Sequence, residues 1–315
     1  MTKILLSPIN DDIAYRNMYD ELSKYANVEF VKGNNHNLKG YDIFIGRSLS
    51  KEELNTADCL KAIFTYKTGV DDFPLLELKK KSIRLVNTHA DSQYVAEYAF
   101  GLAVSLVNRI SEFDKKFRRG IWFDLENPYW ESIFNLKIGL LGYGNIGKKI
   151  NNILINNHIE TYTIDRGKEY KDIKTCSNLL ELIDTTDMLI MSLPSTSDTD
   201  LIINEKVIER LTGKYLVNVG RGNSIDLEAL YNSLKAKKMM GAAIDTWNKK
   251  CFDPNVKFYP TDIPFIELDN AILSPHQATY LKDGTKLYTE DILKKVIVYL
   301  NEGTLSDEIN LDKQY

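Results

Sequence analysis

At 315 residues the chain is long enough for two domains of ordinary size, and 43% apolar with 27% charged residues permits a substantial core. A net charge of −4 without a basic block excludes the electrostatic footprint of a nucleic-acid binder. No apolar run approaches the ~18 residues of a membrane span, so no membrane partner is expected.

The N-terminus, MTKILLSPIN, runs directly into a strand-like stretch without signal-peptide anatomy. Cys59, Cys176 and Cys251 are odd in number, far apart and outside any C-x-x-C, which points to reduced thiols in a cytoplasmic protein. No metal is expected. Across residues 1–100, short β-like runs cover 3–6, 28–31, 43–46, 62–66 and 84–86. Helical stretches at 11–25, 51–59 and 74–81 separate them. Strands alternating with helices predict a parallel sheet with helices on both faces.

A long helix is expected from about Gln93 to Arg118, with Val95, Ala99, Leu102, Leu106, Ile110 and Phe113 at helical spacing and Ser92 as its N-cap. Residues 120–135 (GIWFDLENPYWESIFN) lack periodicity and are rich in aromatics. They read equally as an arm over a subunit interface and as a surface loop packing its own rings.

The most informative stretch is KIGLLGYGNIGKKINNILINNHIETYTID, residues 137–165. A short apolar run leads through Gly142, Gly144 and Gly147 into a helix over 146–156, then a second strand over 160–164 closed by Asp165. A lone G-x-G-x-x-G is weak, but here a strand precedes it and a helix follows. Asp165 follows Gly147 by 18 positions, close to the ~20 expected of a dinucleotide fingerprint. The first glycine makes the turn, the second admits a pyrophosphate, and the third lets helix and strand pack closely. Asn145 and Ile146 open the helix whose N–H groups and dipole receive the pyrophosphate. Asp165 would accept the ribose hydroxyls and repel a 2′-phosphate, which argues for NAD over NADP.

Four more strands are predicted over 188–192, 215–219, 241–245 and 271–273, making six in this half, with helices over 179–183, 205–211 and 227–237 between them. A last amphipathic helix covers 285–300. Of four histidines only His276 stands where a strand ends; His36 and His158 lie in Asn-rich stretches that read as exposed turns, and His89 reads as a packing or loop residue.

Three strand ends carry a set of motifs: Asn218-Val-Gly-Arg-Gly222, Ala242-Ala-Ile-Asp245 and Ser274-Pro-His-Gln-Ala278. With Thr68-Gly-Val-Asp71 and Val95-Ala-Glu97 upstream, the chain resembles the D-isomer-specific 2-hydroxyacid dehydrogenases over nearly its whole length. The resemblance implies two doubly wound α/β parallel-sheet domains with the active site in the cleft. A flavodoxin-like substrate domain would comprise 1–105 completed by 285–315, and a Rossmann NAD-binding domain would comprise 106–284. It also implies a homodimer, with the long helix and the 120–135 segment as candidate interface, and a small 2-oxo or 2-hydroxy acid as substrate.

Reducing a 2-oxo acid requires a cation for the carboxylate, a proton donor at the carbonyl oxygen and a hydride donor facing the carbon. By the resemblance, Arg221 binds and polarises the substrate, a task suited to a guanidinium. His276 would exchange the hydroxyl proton, a task suited to an imidazole. The family's third member is an acid beside the histidine, five residues after Asp245; that position holds Lys250, so Asp253, in the next acid-proline pair, is the expected stand-in. Thr68, Gly69 and Val70 would hold the substrate carboxylate, Thr68 also lying near the cofactor. Thr199, Val219 and Gly220 would line the cofactor, and Asp245 would meet the nicotinamide carboxamide. Leu49, Tyr66, Tyr94, Trp247 and Tyr280 are among the candidates for the specificity pocket. Two other functions share this pattern: an NADH-sensing co-regulator, and a formate- or phosphite-type dehydrogenase.

Overall fold

The computed structural model describes the chain apart from Asp11, Asn34, residues 124–127, Glu169, Lys250, Phe252 and Pro254. Expectations that rest on Lys250, on Pro254 or on the middle of the 120–135 segment therefore lie outside the described residues. The chain divides into two compact units, Met1–Asp91 with Leu281–Tyr315, and Ser92–Tyr280.

In the first unit the order is β1 (Lys3–Leu6), α1 (Ile13–Leu22), β2 (Asn27–Phe30), β3 (Ile43–Gly46), α2 (Lys51–Asn55), β4 (Ala62–Thr65), α3 (Leu75–Lys80) and β5 (Arg84–Val86). The strands pair in parallel in the order β2-β1-β3-β4-β5, the flavodoxin-like winding. β3 and β4 are buried throughout, as strands covered on both faces must be. The C-terminal helix, Gly284–Glu302, returns to this unit, where Ile292 and Val296 pack with Ile4, Tyr15 and Met18. It ends at Gly303 in the left-handed conformation.

His36 departs from expectation. It is 8% exposed, and its ring joins Glu53 Oε1 at 2.7 Å to Ser7 Oγ at 2.8 Å. Glu53 also closes a capping box with Ser50 at the start of α2, so the histidine fastens the loop after β2 to that helix end. The aromatic Tyr66 and the apolar Leu49 are likewise core residues, 2% and 1% exposed.

The second unit runs α4 (Ser92–Val107), α5 (Ile110–Arg118), β6 (Ile138–Leu141), α6 (Asn145–Asn156), β7 (Thr161–Ile164), β8 (Lys174–Cys176), α7 (Leu179–Thr185), β9 (Met188–Met191), α8 (Glu205–Arg210), β10 (Tyr215–Asn218), α9 (Leu227–Lys235), β11 (Gly241–Ile244) and β12 (Ala271–Leu273). The parallel sheet has seven strands in the order β12-β11-β10-β9-β6-β7-β8. β8 escaped the sequence reading because three residues, two of them polar and exposed, carry no hydrophobic pattern; its pairing with β7 defines it.

The expected long helix is two helices. Arg109 takes a left-handed φ of 53° between them, held by its guanidinium on Glu112 and on the Tyr129 carbonyl at 2.7 Å. Ser92 is the first helical residue rather than a cap, and its hydroxyl is buried without a hydrogen-bond partner among the described residues. Val95, Ala96, Ala99, Leu102, Ala103 and Leu106 of α4 share one core with Ile150 and Leu154 of α6. That packing is why α4 joins the second unit from Ser92 onward, so the division falls at Asp91/Ser92 rather than at residue 105.

Candidate active site

The winding order of the second sheet reverses between β6 and β9, the point where an open α/β sheet parts to admit a ligand. The glycine loop leaves β6 there. Gly142 has φ 107°, and its carbonyl accepts the Ser192 hydroxyl at 3.1 Å. A side chain on Gly147 would overlap the Gly142 carbonyl, so the turn and the first helical turn of α6 close only with glycine. Above Gly144, the residue before α6, a Cβ would meet nothing. The chain itself does not demand glycine there, and the open space over the helix N-terminus leaves room for an anionic ligand. This cradle fits a dinucleotide pyrophosphate.

Tyr143, inside the loop, donates to Asp172 Oδ1 at 3.1 Å and accepts from Asn151 Nδ2 at 3.0 Å. Asn151, fully buried on α6, also donates to the Asp172 carbonyl and accepts from Thr161. Burial, with Asp172 beside it, pushes the Tyr143 phenol above its ordinary range. Asp165 is exposed at the end of β7, with its carboxylate accepting the Gly167 N–H at 2.8 Å.

Backbone hydrogen bonds continue the ladder one residue past the strands. Ser192 N donates to Leu141 O, Val219 N to Met191 O, Asp245 N to Asn218 O and Ser274 N to Ile244 O, all at 2.9–3.0 Å. Gly142, Ser192, Val219, Asp245 and Ser274 thus form one row along the carboxyl edge, with Arg221 and His276 in the turns beyond it.

The Arg221 turn is fixed sterically. A Cβ on Gly220 would stand 2.7 Å from the Leu193 backbone, and one on Gly222 would overlap the backbone of Trp247 and Asn248. Asn218, with no exposure, accepts the Gly220 N–H and donates to the Arg221 carbonyl, both at 3.0 Å. Arg221 is half-buried and its Nη1 donates to the Gly220 carbonyl at 2.9 Å.

The His276 turn is fixed differently. His276 is half-buried with φ 59°, a conformation non-glycine residues seldom adopt. Asp245, 0% exposed, accepts the N–H groups of Gln277 at 2.8 Å and Ala278 at 3.3 Å and the hydroxyl of Ser274. Tyr98 Oη meets Ser274 Oγ at 2.9 Å, and Trp247 Nε1 donates to the Ser274 carbonyl at 2.8 Å. Trp247 is therefore core, edge-on to Phe265, rather than a pocket wall.

Other expected residues fall as follows. Thr199 is buried, and its hydroxyl donates to the Pro194 carbonyl and accepts from Thr196 N, closing its own turn. Asp253 is exposed and accepts from the backbone and side chain of Asn255. Tyr94 and Tyr280 are exposed, and among the described residues no cluster of acids, histidines and cysteines can hold a metal.

In the first unit, Thr68 and Gly69 are half-buried and Val70 is buried at the carboxyl edge beyond β4. Asn87 Nδ2 donates to the Thr68 carbonyl at 2.6 Å, and Thr68 Oγ1 donates to Asp91 Oδ1 at 2.9 Å. Asp91 is 4% exposed and its other oxygen accepts from Tyr288, so burial pushes its carboxyl above the usual range.

Asn218, Ser274, Asn151 and Asp91 hold the site turns, and the sequence reading gave none of them a role. Only Asn218 carried a signal, an Asn before glycine at a strand end, where a side chain readily bonds backbone two residues on.

Comparison with known proteins bears on the same edge. Residues 100–278 match the family model described as the NAD-binding domain of D-isomer-specific 2-hydroxyacid dehydrogenases. A glyoxylate reductase from Thermofilum pendens is 30% identical over 264 residues, covering 80% of this chain and 75% of the relative. A solved protein from Pyrococcus horikoshii OT3 superposes with TM-score 0.85 at 27% identity, covering 98% and 96% of the two chains. An acyclic imino acid reductase solved with NADPH and D-Arg superposes with TM-score 0.83 at 25% identity over 98% of this chain and all of that one.

Proposed function

The chain belongs to the D-isomer-specific 2-hydroxyacid dehydrogenases, NAD-dependent oxidoreductases, and on that premise we propose that it interconverts a small 2-oxo acid and its D-2-hydroxy acid. What carries the reading is that the Arg221 and His276 turns leave strands two apart in one sheet, about 10 Å at the ~4.8 Å strand spacing. Two side chains and a small oxo acid fill such a gap.

The nicotinamide cofactor supplies or takes the hydride when bound. Arg221 binds the carboxylate and polarises the carbonyl with two parallel N–H donors. His276 donates a proton to the carbonyl oxygen on reduction and removes the hydroxyl proton on oxidation. The α6 N-terminus at Asn145 and Ile146 receives the pyrophosphate, Val219 and Gly220 line the cofactor, and Asp165 favours NADH over NADPH by charge.

Exposed aromatic side chains at Phe117, Trp122 and Tyr129 (61%, 87% and 80% exposed) support a homodimer through this face. Exposed free thiols at Cys59 and Cys251 support a reducing, cytoplasmic setting. Among the described residues no helix is long and apolar enough to cross a membrane.

The likeness to the imino acid reductase favours a second reading, reduction of the imine formed by a 2-oxo acid and an amine. NADH and NADPH consumption should be followed with a panel of 2-oxo acids, with and without amines, and NAD reduction with formate and phosphite. Consumption of NADH by an oxo acid alone is expected. Consumption only with amine selects the imine reading; reduction of NAD by formate or phosphite selects those substrates. NADH binding without any turnover identifies a sensor and overturns the dehydrogenase reading.

A further inference from the structure

Asp245 is expected, from the resemblance, at the nicotinamide carboxamide, yet its described partners all belong to the turn that carries His276. Oδ1 accepts both the Ser274 hydroxyl and the Gln277 N–H, and Oδ2 accepts the Ala278 N–H. Two donors saturate Oδ1. The carboxylate has no exposure, so these are charge-assisted bonds in a low-dielectric interior, stronger than neutral ones. Ser274 has a single proton and gives it to Asp245, so Tyr98 must donate to Ser274 across their 2.9 Å contact. Trp247 holds the Ser274 carbonyl from the other side.

The turn needs such support. His276 sits at φ 59° without a glycine's freedom, and a residue in that region persists only where its surroundings over-determine it. N–H groups one and two residues beyond His276 are clamped onto one buried anion, and the hydroxyl two residues before it is clamped to the same anion. Lys250 stands at the position where the family has an acid beside the histidine, and Asp253 bonds its own turn.

We propose that Asp245, with Ser274 and Tyr98 behind it, is a positioning residue that locks the His276 turn in its left-handed conformation and so aims the imidazole at the substrate oxygen. The inference rests on His276 being the acid–base residue. It assigns Asp245 to the orientation of His276 ahead of cofactor affinity.

The test compares Asp245→Asn, Ser274→Ala, Tyr98→Phe and Ser274→Thr in the full-length protein, reading kcat at saturating NADH, the NADH dissociation constant by fluorescence, and the His276 ring signal by NMR. Asp245→Asn should lower kcat by about 10- to 100-fold, the effect of losing a charged hydrogen bond. Ser274→Ala should lower it by roughly 10-fold and Tyr98→Phe by a few-fold. NADH affinity should move less than about twofold throughout, and Ser274→Thr should restore the parent rate. The His276 ring signal should broaden or split in Ser274→Ala. Weakened NADH binding in Asp245→Asn with kcat unchanged would make Asp245 a cofactor contact and overturn the proposal; so would an unchanged kcat and ring signal in Ser274→Ala. If Asp245→Asn fails to fold, the two mild hydroxyl variants still decide. If the parent turns over no substrate, the functional reading falls while the ring signal still reports whether Ser274 and Asp245 hold the turn.

Discussion

Each sheet carries a buried carboxylate behind a turn at its carboxyl edge, and the two are built differently. In the first unit Asp91 lies behind Thr68 and accepts from two hydroxyls, those of Thr68 and Tyr288. In the second, Asp245 lies behind His276 and accepts from two backbone N–H groups and a hydroxyl. Backbone amides are fixed by the chain, so bonds from them tie a carboxylate to the path of a turn, whereas hydroxyls turn about their own bonds and tie it to side chains. Burial raises the Asp91 carboxyl above its usual range despite the bonds from Thr68 and Tyr288. One carboxylate fastens backbone and shapes a turn; the other holds side chains.

The largest break in this contrast is at the residue the second carboxylate supports. His276→Ala should lower kcat by roughly 10²- to 10⁴-fold, the span of general acid–base catalysis, with NADH affinity by fluorescence titration close to the parent's. Near-parental turnover would remove the histidine from the chemistry. Arg221→Lys comes next. It keeps the charge and loses the fork, and loss of a charged hydrogen bond of about 1.5–3 kcal/mol should reduce kcat/KM by about 10- to 150-fold. A fall in kcat/KM below twofold would show that no bidentate contact forms.

Gly222→Ala tests the turn held by sterics rather than by an anion. Because the new Cβ overlaps the Trp247 and Asn248 backbone, chemical denaturation should report a loss of about 1–3 kcal/mol. An unchanged midpoint would mean that these loops part readily.

The smallest effect concerns Asp91. A carboxyl whose folded pKa is raised favours the fold below the ordinary value of about 3.9 and loses that contribution as pH rises through the folded value. Asp91→Asn should therefore be more stable than the parent near neutral pH, with the gap closing as pH falls through the raised folded value towards about 4 and staying constant below that. A gap that widens in acid would reverse the sign and show that the ionised form is the favoured one.

The glycine loop, the Arg221 motif and most strands were legible because each is local. Short apolar runs bounded by turn residues mark strands in a doubly wound fold, and glycine stands where the turns require it, at 142 for a φ of 107° and at 147, 220 and 222 for close backbone approaches. β8 was not legible, since three largely polar residues become a strand only beside β7. The helix break at Arg109 hid under an unbroken apolar period because its cause, a guanidinium holding Glu112 and the Tyr129 carbonyl, is partly non-local.

What the sequence by itself determined is the family, the two parallel sheets and the cofactor cradle, all carried by short-range patterns of glycine, apolar period and strand-end motif. What only the tertiary structure decided is which polar groups hold those motifs in place. Asp245 and Ser274 are 29 residues apart, and Tyr98 and Ser274 are 176 apart. Hydrogen bonds across such separations leave no periodicity in the chain, because the pairing of β11 with β12 and the packing of α4 against them, rather than sequence proximity, make those residues neighbours.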